Sequence, residues 1–413
     1  MTCTPESKNL LTETTGNPNK PRLSYEKITR SLAVIGCLGS LALASPANSS
    51  KNAIRLDGAG FNTNAVWVTD ENEANEAAAR VANSGATDIR IILPYSQGSA
   101  EVKNDVIRTC NAAKAAYSHD LDLMITMQGY YRLREGKAKD GLGYMPTRAH
   151  EKQKYVTAIT NLMWSLAGDK NPDGTGGCLP EQKELTIGFF NEPNNKRFNI
   201  NQYINGRWVA PENTVELMRY AYPRLKQQAA QKGLEVDLTL VGGDISTSRS
   251  SNAVGFLRQM GRYMEEQQIT EPLMDEFAAH YYLQGVDADP STSASDSIRL
   301  ISASVSENFG QVPLIYNELG AYSETPVAKE KLYKEPVPEA ILPLKGVEQG
   351  LFYKQFILTA VCQGVKKVLI FHETDDKGDK LRTGVNYPDK TSKPGKPIVR
   401  KAFIEATAGT TDC

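Results

Sequence analysis

The sequence predicts an α/β fold, a (β/α)8 TIM barrel with extended βα loops, and three observations carry that prediction. From residue 48 onward, short apolar or β-branched runs alternate with longer stretches of helical spacing, the pattern of βα units around a parallel sheet. Eight such repeats can be read along the chain, the number that closes a barrel. The stretch "DGAGFNTN" lacks the glycine spacing of a phosphate loop, which a doubly wound nucleotide-binding sheet would place at its first turn.

The elements follow in order. The first strand is expected at 53–56, with "DGAGFNTNAVW" as its loop and a helix over Glu71 to Asn83. "TDIRIIL" is the second strand, and the helix after it carries Val102, Val106, Ala113 and Tyr117 on one stripe. "LDLMITM" is the third, opening into a polar, aromatic loop before a helix from His150 to Leu166. The fourth, "ELTIGFF", leads through a long loop to a helix over Pro211 to Gln231, kinked at Pro223. "VDLTLVGG" and a helix over Ala253 to Glu266 make the fifth unit; "MDEFAAHYY" and "SASDSIRLISASVSENF" make the sixth. "VPLIYNELG" is the seventh strand, separated from its helix "GLFYKQFILTAVCQG" by a Lys/Glu/Pro-rich insertion. "VKKVLIF" and a helix over Ile398 to Thr407 complete the barrel.

Of the 413 residues 40% are hydrophobic and 23% charged, enough apolar side chain for a sizeable core. Lys plus Arg number 47 against 48 Asp plus Glu, with no long basic run, so nucleic acid is not an expected partner. The N-terminus differs from the rest. About thirty polar residues ending in Lys27 and Arg30 precede "SLAVIGCLGSLALASPA", the order of a signal peptide. Residues 1–47 are therefore set apart from a barrel domain over 48–413. The alternative is a retained membrane tether, for which the apolar run is short beside a span of roughly 20 residues. Export to the cell envelope or the medium is expected. It would leave Cys110, Cys178, Cys362 and Cys413 in an oxidising compartment. Cys362 with Cys413 is the expected pair, with buried free thiols as the alternative. A monomer is expected.

Active sites of such barrels lie at the C-terminal ends of the strands, so the informative residues are polar ones where apolar runs stop. Glu192 ends the fourth run and Glu318 the seventh, each preceded by an asparagine. Two carboxyl groups facing each other suit glycosidic cleavage: one donates a proton to the leaving oxygen, the other attacks or stabilises the cationic sugar centre. Alone, Asn-Glu-Pro is often only a turn, Arg90 only an interior ion pair, and His280 only a core histidine satisfied by a backbone group.

Asn191-Glu192-Pro193, Glu318-Leu319-Gly320, His280-Tyr281-Tyr282 and Arg90 within "DIRI" fall in order on the fourth, seventh, sixth and second strands. Together they resemble the clan of retaining β-glycoside hydrolases that includes the family 5 cellulases and mannanases, over roughly Ile54 to Ile404. The resemblance implies Glu192 as acid/base and Glu318 as nucleophile. It implies Asn191 on the sugar 2-hydroxyl, Arg90 beneath the nucleophile, and His280 and Tyr282 fixing the carboxylates. Pro193 is expected to keep Glu192 extended. The substrate implied is a β-linked oligo- or polysaccharide, with no metal or organic cofactor.

Two positions depart from the clan's pattern. Gln128 stands where a histidine is usual after the third strand, and Phe371 or His372 where a tryptophan is usual after the eighth. Trp67, Tyr130, Tyr131 and Trp208 are candidate sugar-stacking aromatics, with packing on the barrel rim as the ordinary alternative. Two further alternatives are a non-catalytic polysaccharide-binding barrel and a metal-dependent hydrolase built on His280, Glu318, His372 and Asp375. Against the second, the chain has only four histidines and no His-X-His on the first strand.

Overall fold

The computed structural model describes residues 54–413 apart from 95–98, 129–142, 144, 168–176, 180–183, 197, 200–201, 232–237, 248–251, 284–289, 334–342, 378–381 and 412. The N-terminal segment and its apolar run, with Tyr130 and Tyr131, lie outside the described residues. Among the described residues no helix is long and apolar enough to cross a membrane.

The strands are β1 (Gly58–Asn62), β2 (Asp88–Pro94), β3 (Asp122–Gln128), β4 (Leu185–Gly188), β5 (Tyr203–Ile204), β6 (Arg207–Trp208), β7 (Leu238–Ser246), β8 (Glu276–Leu283), β9 (Leu314–Ala321) and β10 (Lys367–Phe371). All but β5 and β6 join in one closed barrel, ordered β1-β10-β9-β8-β7-β4-β3-β2, with parallel neighbours throughout. β5 and β6 form an antiparallel ribbon in the connection after β4. The helices after successive barrel strands are α1 (Glu71–Asn83), α2 (Ser99–Ser118), α3 (Ala149–Ala167), α4 (Ala210–Gln231), α5 (Ala253–Glu266) and α6 (Pro290–Phe309). The seventh connection holds a short α7 (Val327–Glu330) and then α8 (Gly346–Cys362), and α9 (Lys396–Ala408) closes the chain.

Helices form where the spacing places them. In α1, Ala74, Ala77, Ala78 and Val81 are buried, an i, i+3, i+4, i+7 face. Asp70 caps its start by accepting from the Glu73 backbone N–H at 3.0 Å. Asn252 caps α5 in the same way through Gly255.

The first strand lies later than its expected position. Gly58–Asn62 pairs with β2 and β10, so the stretch read as a loop is itself the strand, and Ile54 to Leu56 lead into it. Its glycines hide the strand from a propensity reading. They are required by packing: a Cβ on Gly60 would meet the Asp88 backbone oxygen at 1.7 Å.

The main core lies between barrel and helices, while Met124, Val241, Ala278 and Ile315 form a separate apolar cluster from four strands. Two bulges follow toward the C-terminal mouth. One sets Asp244 as the extra residue between the β7 pairs at Gly243 and Ile245; the other sets Asn317 as the extra residue of β9 opposite Ala279 and His280. A bulge breaks the alternation of a strand and re-aims a side chain. Asn317 and Glu318, adjacent in sequence, are accordingly both buried and both engaged in the same polar cluster.

Cys362–Cys413 is a disulfide, as expected, and Cys110–Cys178 is a second. They close loops of 51 and 68 residues, each stabilising by roughly 4 kcal/mol in the chain-entropy account.

Candidate active site

The C-terminal mouth gathers Arg90 from β2, Glu192 from the turn after β4, Asp244 from β7, His280 and Tyr282 from β8, and Asn317 and Glu318 from β9. Glu192 and Glu318 are 5% and 4% exposed, although 126 positions separate them in the chain. One carboxylate oxygen of each and a ring nitrogen of His280 lie within 4.8 Å of one another.

Glu318 is held on both oxygens. Oε1 accepts from Arg90 Nη1 at 2.6 Å and Asn62 Nδ2 at 3.1 Å, and Oε2 from the Tyr282 hydroxyl at 2.6 Å. Gly320 makes the tyrosine contact possible, since a Cβ there would meet the Tyr282 ring at 2.3 Å. Burial would lift the Glu318 pKa, but the His280 and Arg90 cations and the hydrogen bonds from Tyr282 and Arg90 bring it below its ordinary value. Burial and the Glu318 charge push the Tyr282 phenol well up, so it remains a donor.

Glu192 is bound differently. Its Oε1 lies 2.9 Å from His280 Nδ1, and its Oε2 accepts from Asn195 Nδ2 at 2.6 Å. Its backbone N–H donates to the Asp244 carbonyl at 2.9 Å. The residue has φ 46, so the extended conformation expected from Pro193 is not adopted. The turn after β4 instead holds Glu192 in the left-handed region, where a non-glycine residue costs about 1–3 kcal/mol and where active-site residues concentrate.

His280 is fully buried, with Nε2 2.8 Å from Asp244 Oδ1 and Nδ1 3.4 Å from Glu318 Oε2. Burial alone would push the imidazole down, but the charges of Glu318 and Asp244 and the bond to Glu192 lift it to about 10. The Asp244 carboxyl is drawn below its usual range by Arg90 and His280 against the effect of burial. Arg90 also donates through Nε to Thr126 at 2.7 Å and through Nη2 to Asn191 Oδ1 at 3.0 Å. That contact turns the Asn191 oxygen inward, because guanidinium can only donate. The Asn191 Nδ2 has no hydrogen-bond partner among the described residues.

Of the other sequence candidates, Phe371 meets the cluster, its ring edge-on to that of Tyr282 at 6.0 Å. Trp67 Nε1 donates to Thr109 at 3.1 Å and Arg108 lies over the indole at 5.1 Å, tying it to α2. Trp208 stacks on Tyr203 and donates to Gln202 at 3.2 Å. Gln128 ends β3. Phe371 and His372 line a neighbouring cavity of about 500 Å³, which also takes in Asn62, Asn64 and Asp376. Asp375, which lines the same cavity, is paired with Lys393 at 2.7 Å.

Asp244, Asn62, Thr126 and Asn195 carry no role in the sequence analysis, and Asn317 enters it only as the asparagine before Glu318. Asn62 was hidden by the misplaced first strand. Asp244 follows "VGG" at the end of the fifth apolar run; an acid directly after a glycine pair at a strand terminus is the available signal.

Fold and site define a (β/α)8 barrel with a carboxyl pair, a buried guanidinium and a buried histidine at the C-terminal mouth of its strands. The sequence matches no protein-family model and no curated protein. Among solved structures, the fold is shared with GH5_18 from Streptomyces cattleya in complex with GlcNAc, at 14% identity over 87% of this chain and 82% of that one, TM-score 0.58. It is shared with an endo-β-1,4-glucanase from Xanthomonas axonopodis pv. citri, at 12% identity over 85% and 100%, TM-score 0.54. An exo-β-1,4-mannosidase from Opitutaceae bacterium strain TAV5 matches at 12% identity and TM-score 0.54 over 85% of this chain, which spans only 59% of the mannosidase. At the level of the fold, the likeness to family 5 barrels that the short motifs suggested is thus present.

Proposed function

We propose that this chain hydrolyses β-linked oligo- or polysaccharides with retention of configuration, with Glu318 as nucleophile and Glu192 as acid/base. The observation that carries the reading is the approach of the two buried glutamates around His280, their oxygens within 4.8 Å. Retaining enzymes hold their carboxyl groups about 5 to 5.5 Å apart; inverting ones need roughly 6.5 to 9.5 Å to admit a water.

The asymmetry of the pair assigns the roles. Glu318, on which a guanidinium, a phenol and an amide converge, is the side chain kept anionic, as a nucleophile must be. In the first step Glu318 bonds to the anomeric carbon while Glu192 gives its proton to the departing oxygen. In the second, water attacks that carbon, Glu192 takes the water's proton, and the bond to Glu318 breaks. The open Asn191 Nδ2 is placed to meet the 2-hydroxyl, whose hydrogen bond strengthens in the transition state. The relatives in fold named above include enzymes titled for β-1,4 linkages, and such linkages are the first to assay. Two disulfides fit the expected export to an oxidising compartment, with the N-terminal apolar run as leader or tether.

A metal-dependent reading would have to replace the carboxylate contacts that both ring nitrogens of His280 make, at 2.9 and 2.8 Å.

Proton NMR of the first-formed product of an aryl β-glycoside tests the proposal: the β-anomer should appear before mutarotation, and an α-anomer would overturn retention. Glu192→Gln should lower kcat on glycosides with poor leaving groups by about 10²–10⁴-fold. Formation of the glycosyl-enzyme from a dinitrophenyl glycoside should be nearly spared, because that leaving group needs no proton. Equal losses on both substrates would remove Glu192 from the acid role.

A further inference from the structure

Asp244 has no part in the two steps above, yet the cluster is organised around it. Its side chain is 1% exposed and projects from the β7 bulge at φ 51. Oδ1 accepts from His280 Nε2 at 2.8 Å and Asn317 Nδ2 at 2.6 Å, and Oδ2 from Arg90 Nη2 at 3.0 Å. Two of these donors reach the glutamates in turn, His280 Nδ1 to Glu192 Oε1 at 2.9 Å and Arg90 Nη1 to Glu318 Oε1 at 2.6 Å. Asp244 acts on both carboxyl groups through a second side chain.

We propose that Asp244 is a positioning residue that keeps His280 a doubly protonated donor, and thereby decides which oxygen of Glu192 carries the catalytic proton. The consequence for turnover rests on the retaining-hydrolase reading; the protonation of the ring rests on geometry alone. A neutral imidazole donates through one nitrogen and accepts through the other. Were His280 neutral, with Nε2–H on Asp244, its Nδ1 would draw the Glu192 proton onto Oε1, where it points at the ring. With Nδ1 also protonated, Oε1 must accept, and the Glu192 proton is placed on Oε2, the oxygen that is turned away from the histidine, accepts from Asn195 at 2.6 Å and can still donate its own proton to the leaving group.

Charge balance favours the same state. The groups facing His280 are Glu192 after β4, Asp244 from β7, Glu318 from β9, Arg90 from β2 and Tyr282 on its own strand. With one proton on Glu192, the imidazolium and guanidinium are matched by the carboxylates of Asp244 and Glu318. The buried cluster is then neutral, the condition under which buried charge is least costly. The upward pull on the His280 pKa agrees.

Asp244→Asn keeps the shape and removes the charge. Nitrogen-15 NMR of the ring, with signals assigned by substituting the other three histidines in turn, should show His280 doubly protonated across about pH 5 to 8 in the wild type. In Asp244→Asn its midpoint should fall by at least about one unit, a tenfold change in the proton equilibrium. The kcat–pH profile of the variant should gain an inflection at that midpoint, with KM little moved. The kcat loss should be larger for poor leaving groups than for dinitrophenyl glycosides. An unchanged midpoint in the variant, or equal losses across leaving groups, overturns the proposal. Should the variant fail to fold, a wild-type His280 titrating near 6.5 overturns it unaided. A wild type that turns over no β-glycoside removes the hydrolase reading, and the ring titration still decides the part that concerns Asp244.

Discussion

Glu318→Ala is expected to lower turnover of an activated aryl β-glycoside by about 10⁴-fold or more, on the scale seen when another hydrolase loses its nucleophile, or at least ~5.4 kcal/mol of transition-state stabilisation. No neighbouring group can replace it. Asp244 is bonded to His280 and Arg90, and in the proposed mechanism Glu192 carries the proton transfer. The substitution leaves a space where the carboxylate met the anomeric carbon, so added azide should restore turnover and yield a glycosyl azide of inverted configuration. The fold should survive, because Arg90 keeps Asp244, Asn191 and Thr126 as partners. Activity within tenfold of wild type would end the nucleophile assignment, and with it the double-displacement mechanism.

Arg90→Met should be the most destabilising single change in the site. Arg90 is fully buried and carries ion pairs of 2.6 Å to Glu318 and 3.0 Å to Asp244. Removing one partner of a buried pair leaves uncompensated charge and costs about 3–5 kcal/mol. The sign of the pH dependence follows from the two carboxyls. Both have folded-state pKa values below their ordinary 4.5 and 3.8. Their contribution to stability is therefore present above those values and lost as pH falls through the lower folded ones. Urea unfolding should show the gap between wild type and variant at its full size near neutral pH and shrinking below about pH 4. A gap that stays constant to pH 3 would mean that Arg90 stabilises by packing alone. Activity should fall with stability, since the anion on Glu318 loses the guanidinium 2.6 Å away.

Much of the barrel is written in local pattern. The bounds of α1 and α5 coincide with the helical spacing, and seven barrel strands lie within a few residues of the apolar runs. The exception, β1, carries glycines where β-branched residues would have marked it, because the neighbouring strand leaves no room for a Cβ. The two glutamates were legible for a different reason: each is an acid that stops an apolar run, and such stops converge on one end of a parallel barrel. Asp244 and Asn62 bear equally on the site but were not picked out: Asp244 is marked only by the glycine pair before it, and Asn62 sits in a glycine-rich stretch that does not look like a strand.

What the sequence by itself determined is the repeating βα pattern and the side to which its polar strand ends face, because both follow from periodicities of two and 3.6 residues within single elements. What only the tertiary structure decided is which oxygen faces which nitrogen. Bulges at Asp244 and Asn317 and the left-handed turn at Glu192 depart from those periodicities, and they are held by hydrogen bonds between residues far apart in the chain. Pairing of that kind is settled by closure of the barrel, where burial requires each charge to find its partner.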